Sequence, residues 1–247
     1  MINFKPIFSL AATQEPQSKL RSKFGGRPWG LPAEKWPKNM ALLAQLVHEP
    51  PMIDLGGDYV LHIWHWNTFE DYLDPPDYEF RCHFSTLVPK SELGKELTPA
   101  PVGQKLIGEV YIDKWEKFDD HVPDEWLPGF FDPEEHASLM EKETGKIRFG
   151  GGLLTKFGGP PCWHGTNAIE NSPKHCSLIF QTDAYIRIKG APPAQEVIER
   201  HQLEGIMPCK SGDEFIYVIT DFASDGIAFV FLDRTQHPPL PLWTWSR

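Results

Sequence analysis

The chain has 247 residues, of which 40% are hydrophobic and 23% are charged, so it can bury a full core and lacks the composition of a disordered protein. Its 24 Lys and Arg against 34 Asp and Glu give a formal net charge of −10 at pH 7, and such a surface repels the phosphates of nucleic acids. No stretch approaches the ~18 consecutive apolar residues of a membrane helix.

The start of the sequence and its cysteines indicate a compartment. Residues 1–6 lack the basic and apolar regions of a signal peptide, so we expect a cytoplasmic protein that binds neither membrane nor nucleic acid. In that compartment the four cysteines are expected to be reduced thiols. The sequence indicates no particular oligomeric state.

With 24 prolines, 16 Phe and 9 Trp, the composition favours strands, turns and structured loops over helices. In chain order, the apolar patterns predict strands at residues 42–46, 58–66, 78–84, 106–112, 178–180, 214–219 and 227–232. Two helices are predicted, at 132–142 and 193–203, because each begins near a proline and ends before a glycine. The apolar stretch 238–245 is expected to lie in a surface groove.

An internal duplication is the strongest pattern in the sequence. Residues 23–28 read KFGGRP and residues 156–161 read KFGGPP. Each copy is followed by Pro-Lys, by a Leu four residues after that Lys, and by a Gln three residues further on, at Gln45 and Gln181. Because both matches occur in the same order and nearly the same spacing, we interpret them as two copies of one unit.

The duplication predicts one α+β domain, made of two mainly antiparallel halves with few short helices. We divide the single domain 1–247 into a first repeat at about 20–87, a connector or insertion at about 88–150, a second repeat at about 151–233, and a Pro- and Trp-rich tail at 234–247. Superposing 20–66 on 153–222 should bring Gly25 onto Gly158 and Gln45 onto Gln181. Either 214–219 or 227–232 could correspond to the strand at 58–66, and the sequence leaves this open.

These motifs carry a family resemblance. The two KFGG turns, Leu-Leu-Ala-Gln at 42–45, Leu-Ile-Phe-Gln at 178–181 and the run 225–231 together resemble the YwqG-like family, a bacterial family of unknown function. The resemblance spans about 20–66 and 150–233 and implies a duplicated α+β unit. More distantly, the turn resembles programmed cell death protein 2 and its relatives, which are chaperones of a ribosomal protein. Those relatives carry Cys-x-x-Cys pairs where this chain has His175-Cys176 and Asn39-Met40.

Residues of metal-ligand type occur in two places, but their spacing does not favour a metal site. Cys162, His164, His175 and Cys176 share a loop-rich stretch, yet structural zinc normally takes ligands two to four residues apart. His62 and His65 are predicted on opposite faces of a strand, and His83 could face one of them from a neighbouring strand. We therefore predict no bound metal and no cofactor.

The sequence contains no Gly-x-Ser-x-Gly elbow, no phosphate-binding loop and no His-Glu-x-x-His, so no catalytic residue is predicted. Four polar residues are repeated beside the glycine turns and are candidates for binding or for folding: Lys23, Gln45, Lys156 and Gln181. A second candidate set combines aromatics with acids: Trp115, Asp119, Asp120, Asp124, Glu125 and Trp126. Such a set suits an interface with aromatic anchors and a polar rim, or an insertion whose Trp residues cover its own core.

Three functions from different classes remain open. The first is a non-catalytic protein-binding module with a basic protein partner, as in a toxin-immunity protein or a client-specific chaperone, because an acidic surface attracts such a partner. The second is an enzyme with a small-molecule or metal site between the two repeats, using Lys23, Lys156 or histidines. The third is a structural or sensory domain.

Overall fold

The computed structural model describes residues 2–10, 20–66, 83–104, 106–119, 155–159, 176–183, 185–189, 194–196, 199, 206–208, 214–218 and 227–246. Over these residues the chain is mostly antiparallel β-sheet with few helical residues, and none of them forms a helix with the length and apolarity needed to cross a membrane. The predicted helix at 132–142 lies outside the described residues. Within the predicted helix at 193–203, Gln195, Glu196 and Glu199 are helical.

The described residues form two antiparallel sheets. Their strands are β1 (Ile2–Leu10), β2 (Lys23–Phe24), β3 (Met40–Val47), β4 (Tyr59–Trp66), β5 (His83–Pro89), β6 (Val110–Asp119), β7 (Lys156–Phe157), β8 (Cys176–Asp183), β9 (Tyr185–Lys189), β10 (Ile206–Pro208), β11 (Glu214–Val218), β12 (Ile227–Asp233) and β13 (Leu240–Ser246). The larger sheet has ten strands in the order β13-β12-β8-β7-β1-β6-β2-β3-β4-β5. The smaller sheet has three, in the order β10-β11-β9.

The strands predicted at 42–46, 58–66, 178–180, 214–219 and 227–232 are confirmed as β3, β4, β8, β11 and β12. The strand predicted at 78–84 begins later, at His83, and residues 78–82 lie outside the described part. The strand predicted at 106–112 also begins later and runs over Val110–Asp119. Its second half carries alternating charges, which on sequence alone are typical of a connector.

Four strands of the larger sheet were not predicted, namely β1, β13 and the two-residue strands β2 and β7. β1 lies at the centre of the sheet, between β6 and β7, although Pro6 interrupts its pattern. Pro6 is buried and lies opposite Trp115 of β6. The tail forms β13 and pairs with β12 along its whole length, so the expectation that it lies in a surface groove was wrong. An edge strand tolerates a proline such as Pro241, because one side of its backbone needs no partner.

One apolar core contains side chains from both ends of the sheet order. The edge strands β5 and β13 lie beside each other, with Cα atoms of the two strands within 8 Å, so the ten-stranded sheet curls around one of its faces. Phe180 of β8 lies at the centre of this core, with its ring centroid 5.4 Å from that of Phe157 and 6.0 Å from that of Phe24. Ile186 and Ile188 of β9 pack into the same core, which joins the smaller sheet to the larger one.

The outer face of β3 and β4 carries a second, smaller cluster. We call it the outer cluster, and it consists of Leu31, Trp36, Leu42, Trp64 and Val88. The segments 27–37 and 90–104, together with Leu106, form its cover. Trp36 holds the first segment in place, because its indole packs 5.4 Å from that of Trp64 and its Nε1 donates a hydrogen bond to the carbonyl oxygen of Met40. The hydroxyl of Thr98 donates to the carbonyl oxygen of Leu31, which ties the two segments together.

Candidate functional site

The repeated lysines and glutamines face each other across neighbouring strands. Lys23 of β2 lies opposite Gln45 of β3, and Lys156 of β7 lies opposite Gln181 of β8. All four side chains are buried. The two-residue strands β2 and β7 are short because a glycine turn follows each of them directly.

The glycine turns dock on the neighbouring strands in the same manner. The backbone N–H of Gly25 donates to the carbonyl oxygen of Leu43 at 2.9 Å, and that of Gly158 donates to Ile179 at 3.0 Å. Leu43 and Ile179 are also the extra residues of two β-bulges, one in the β3–β4 pair and one in the β8–β12 pair. A bulge at the same position in each copy turns the acceptor carbonyl toward its glycine.

The register also decides between the two strands that could correspond to β4. His62 of β4 lies opposite Gln45, and Phe229 of β12 lies opposite Gln181. β11 belongs to the smaller sheet and does not pair with β8. β12 therefore lies beside Gln181 in the same way as β4 lies beside Gln45.

Lys23 is fully buried and holds the turn that follows it. Its Nζ donates to the carbonyl oxygen of Arg27 at 2.6 Å and to Oε1 of Glu109 at 2.7 Å. Burial lowers the pKa of Lys23 because it removes the ammonium group from water, while the nearby Glu109 carboxylate acts in the opposite direction. Arg27 and Arg21 lower the pKa further. The buried Lys23 ammonium group therefore depends on the Glu109 carboxylate to compensate its charge.

Gln45 uses both ends of its amide on the backbone around the same turn. Its Oε1 accepts a hydrogen bond from the backbone N–H of Trp29 at 2.7 Å, and its Nε2 donates to the carbonyl oxygen of Arg21 at 2.9 Å. Residues 21 and 29 lie on either side of the KFGG motif. Lys23 and Gln45 together therefore clamp the chain as it enters and leaves the turn, and we call these two residues the clamp.

Three further residues complete the site and were not predicted from the sequence. Tyr111 of β6 lies opposite Lys23, and the guanidinium carbon of Arg21 is 4.3 Å from the centroid of its ring. Burial raises the pKa of Tyr111, and the adjacent Glu109 raises it further, so the phenol keeps its proton. Arg21 lies two residues before Lys23 in the same segment, whereas Glu109 is a single charge outside any motif that the pairing of β2 with β6 brings to the clamp.

The glycines of the first turn are required by close contacts as well as by backbone conformation. Gly25 has φ of 68° and Gly26 has φ of 69°, in the left-handed region that favours glycine. A Cβ at Gly25 would overlap the carbonyl oxygen of Gly108, and one at Gly26 would overlap the Glu109 carboxylate. Gly158 has a similar φ of 70°, but a Cβ there meets no described atom within 4 Å.

The second copy differs from the first at the position of the acid. Glu109 directly precedes Val110, which lies opposite Phe24. In the second copy Phe4 lies opposite Phe157, so the residue directly before it, Asn3, takes the place of Glu109. Among the described residues, the two motifs thus share the lysine and the glutamine, while the register position of Glu109 holds an asparagine in the second motif.

His62 extends the row of side chains that begins at Lys23 and Gln45. Its ring stacks on that of Trp64, with 6.1 Å between the centroids. Burial lowers the pKa of His62 from its ordinary value to about 3, and the nearby Lys23 contributes to the shift. The imidazole is therefore neutral at physiological pH.

Of the acidic and aromatic set, two residues are described. Trp115 is half-buried and packs edge-to-face on Phe157 at 5.0 Å, which is the arrangement expected if it covers its own core. Asp119 is the last residue of β6 and lies opposite Ile2. Asp120, Asp124, Glu125 and Trp126 lie outside the described residues.

The predicted ligand-type residues are placed only in part. Cys162, His164 and His175 lie outside the described residues, while Cys176 begins β8 as a half-buried cysteine whose pKa is raised by burial. The register places His83 opposite His65 rather than opposite His62. Among the residues that the structure describes, no three His, Cys, Asp or Glu side chains are grouped to hold a metal ion.

The geometry of the clamp is the basis for any functional assignment. Comparisons of the chain with protein-family models, curated proteins and solved structures found no match. The clamp residues lie in the interior, and the polar atoms of Lys23 and Gln45 contact the backbone of the turn and Glu109. The hydrogen bonds of these two side chains can therefore hold the glycine turn in one conformation.

The two glycine turns provide a matched pair of substitutions. Gly25→Ala should lower the free energy of unfolding by about 4 kcal/mol or prevent folding, because it combines an unfavourable φ with overlap on Gly108. Gly158→Ala should lower it by only about 1 kcal/mol, since φ alone is unfavourable there. Chemical denaturation of both variants measures the difference. Equal losses would contradict the close approach at Gly25.

The ion pair of the clamp should contribute far more to stability than an exposed one. Glu109→Gln leaves the buried Lys23 ammonium without its counter-charge and should lower the free energy of unfolding by about 3 kcal/mol at pH 7. Glu92→Gln removes the partner of Lys35 in an exposed pair of similar length and should lower it by less than about 1 kcal/mol. Denaturation with urea compares the two.

The pH dependence of Glu109→Gln has a definite sign. Because the pKa of Lys23 is lower in the folded state than in the unfolded state, the unfolded state binds more protons between those two values. The stability contributed by this group therefore rises with pH up to about 10.5, the ordinary lysine pKa. The loss in free energy of unfolding caused by Glu109→Gln should become smaller between pH 7 and pH 10. A loss that stays constant over this range would contradict a charged, buried Lys23.

Proposed function

We propose that this protein is a non-catalytic protein-binding module whose partner is a basic protein. The observation that carries the proposal is the burial of Lys23 and Gln45, the repeated polar residues that were the best candidates for chemistry. Their hydrogen bonds to the backbone of the turn favour a role in folding over one in catalysis. The function is then expected at the protein's surface.

The surface charge supports a basic partner. The formal net charge of −10 attracts a positively charged protein over a distance and raises the rate of encounter. A toxin-immunity protein and a client-specific chaperone both act in this way, by binding one partner without turnover. We assign the steering charges to Asp119, Asp120, Asp124 and Glu125.

The aromatic residues of that segment have two different roles in the proposal. Trp115 anchors the segment to the core through Phe157. Trp126 is the candidate contact residue, since aromatic side chains surrounded by polar ones are typical anchors of an interface. Lys156 and Gln181 belong to the fold in this interpretation, as Lys23 and Gln45 do.

We also propose that the fold is an internal duplication and that the chain is related to the YwqG-like family. The strand order supports this, because β7-β8-β12-β13 on one side of β1 and β6 corresponds to β2-β3-β4-β5 on the other. The two Lys–Gln pairs and the two bulges support it as well.

The steering role of the acids is tested by removing them. We expect the quadruple variant Asp119→Asn, Asp120→Asn, Asp124→Asn and Glu125→Gln to keep its fold and to associate with the basic partner about tenfold more slowly at low salt. The partner is first identified by affinity capture, and rates are then measured by stopped-flow at several salt concentrations. The difference from wild type should shrink as salt rises, because exposed charges are screened.

A charge-matched control separates local steering from net charge. It removes four exposed acids elsewhere: Glu34, Glu49, Asp58 and Glu96. If this control slows association as much as the quadruple variant, the steering surface is not the segment 119–125. A different result would favour an enzyme over a binding module. This result is saturable turnover of a metabolite by the purified protein that is lost when Lys156 is substituted in a variant that still folds.

A further inference from the structure

His62 is a buried polar side chain that the clamp does not use. Its ring is fully buried, and within the described part of the chain neither Nδ1 nor Nε2 has a hydrogen-bond partner. A neutral imidazole has one donor and one acceptor, and buried groups of this kind are nearly always paired because leaving them unpaired is unfavourable. The presence of a histidine here needs a reason other than stability.

The second half shows that the fold does not require an imidazole at this position. Phe229 lies opposite Gln181 as His62 lies opposite Gln45, and Phe229 is also fully buried. An aromatic ring without polar atoms therefore fills the corresponding place. Packing accounts for the ring of His62, but it does not account for the two ring nitrogens.

The surroundings of His62 oppose a positive charge. From β2, Lys23 is the charged group that acts on it, and Glu109, which directly precedes β6, is already bonded to that lysine. From β3 and β5 the residues opposite are Gln45 and Thr86, which carry no charge. A proton added to the imidazole would thus place a second cation beside the first, and none of the described residues supplies a second acid there.

We propose that His62 is an acid-sensitive switch that releases the cover of the outer cluster. An imidazolium in this position must reach water. His62 shares the outer face of β4 with Trp64, and the cover packs on that face through Trp36. Opening the cover solvates the imidazolium and exposes the apolar side chains of the outer cluster. The switch acts within this chain and does not depend on the proposed partner.

The direction of the response follows from the two states. The folded, closed protein binds a proton at His62 only near pH 3, whereas an exposed imidazole binds one near its ordinary value of about 6.5. The open state therefore gains protons first as the pH falls. Its population relative to the closed state should rise by about tenfold for each pH unit below about 6.

Hydrogen exchange of the cover tests the switch. The reporters are the amides of Gly30, Gly94 and Thr98, each of which is hydrogen-bonded within the cover. In the wild-type protein their protection factors, corrected for the intrinsic pH dependence of exchange, should fall about 30-fold or more between pH 6.5 and pH 4.5. In His62→Phe, which copies the second half, they should change less than threefold.

Two controls make the outcome decisive. His237→Gln removes an exposed histidine and should keep the wild-type response. Phe229→His places an imidazole at the corresponding position and should make the Gly158 amide acid-sensitive, which tests the idea even if His62→Phe folds poorly. The proposal is overturned if His62→Phe loses protection at pH 4.5 as wild type does. It is also overturned if the variant folds and is less stable than wild type at pH 7.

Discussion

The fold depends on how a short, sharply turning segment is held against the middle of a large sheet. Between β2 and the cover of the outer cluster the chain must turn at two glycines with positive φ, a conformation that is unfavourable for most residues. The two glycine N–H groups bond to backbone carbonyls beside the turn, and Lys23 and Gln45 add side-chain hydrogen bonds from within the sheet. The cost of burying an ammonium group is offset by Glu109, which directly precedes the neighbouring strand β6.

The two halves use the same geometry with different chemistry. Each half places a lysine opposite a glutamine and docks a glycine on a bulge carbonyl. Among the described residues, the first half has Glu109 beside the lysine and His62 beyond the glutamine, where the register of the second half has Asn3 and Phe229. The backbone arrangement is thus separable from the ionisable groups, and those groups are where the first half can respond to pH.

The motifs were readable from the sequence because they are local. KFGG with a proline two residues later is turn chemistry, and the apolar runs of β4 and β12 are recognisable strands. The strands at the sheet's centre and edge were not readable in the same way. β1 contains Pro6, the second half of β6 is charged, and β13 contains Pro241. In each case pairing with a neighbouring strand outweighs the local pattern. β1 and β6 pair with each other over a long distance in sequence, whereas β13 pairs with the preceding strand β12.

Of the residues that form the site, only the repeated lysine and glutamine could be predicted from the sequence. The repeated sequence motif singled out Lys23 and Gln45, but it did not indicate whether they bind a ligand or the chain itself. Glu109 and Tyr111 reach the clamp because β6 pairs with β2 across 86 residues of sequence, as the Lys23–Glu109 contact shows. Arg21 is near Lys23 in sequence, but its contact with the Tyr111 ring depends on the same pairing. No spacing rule in a single sequence reports such a contact, and the same holds for the burial of His62.

A double-mutant cycle on the clamp tests the central claim most directly. Lys23→Met and Gln45→Leu are made singly and together, and the free energy of unfolding of each variant is measured by urea denaturation. If the two residues hold one turn, each substitution should cost about 2 kcal/mol or more, and the double variant should lose at least about 1 kcal/mol less than the sum. Single variants that are as stable as wild type, or losses that simply add, would contradict the account.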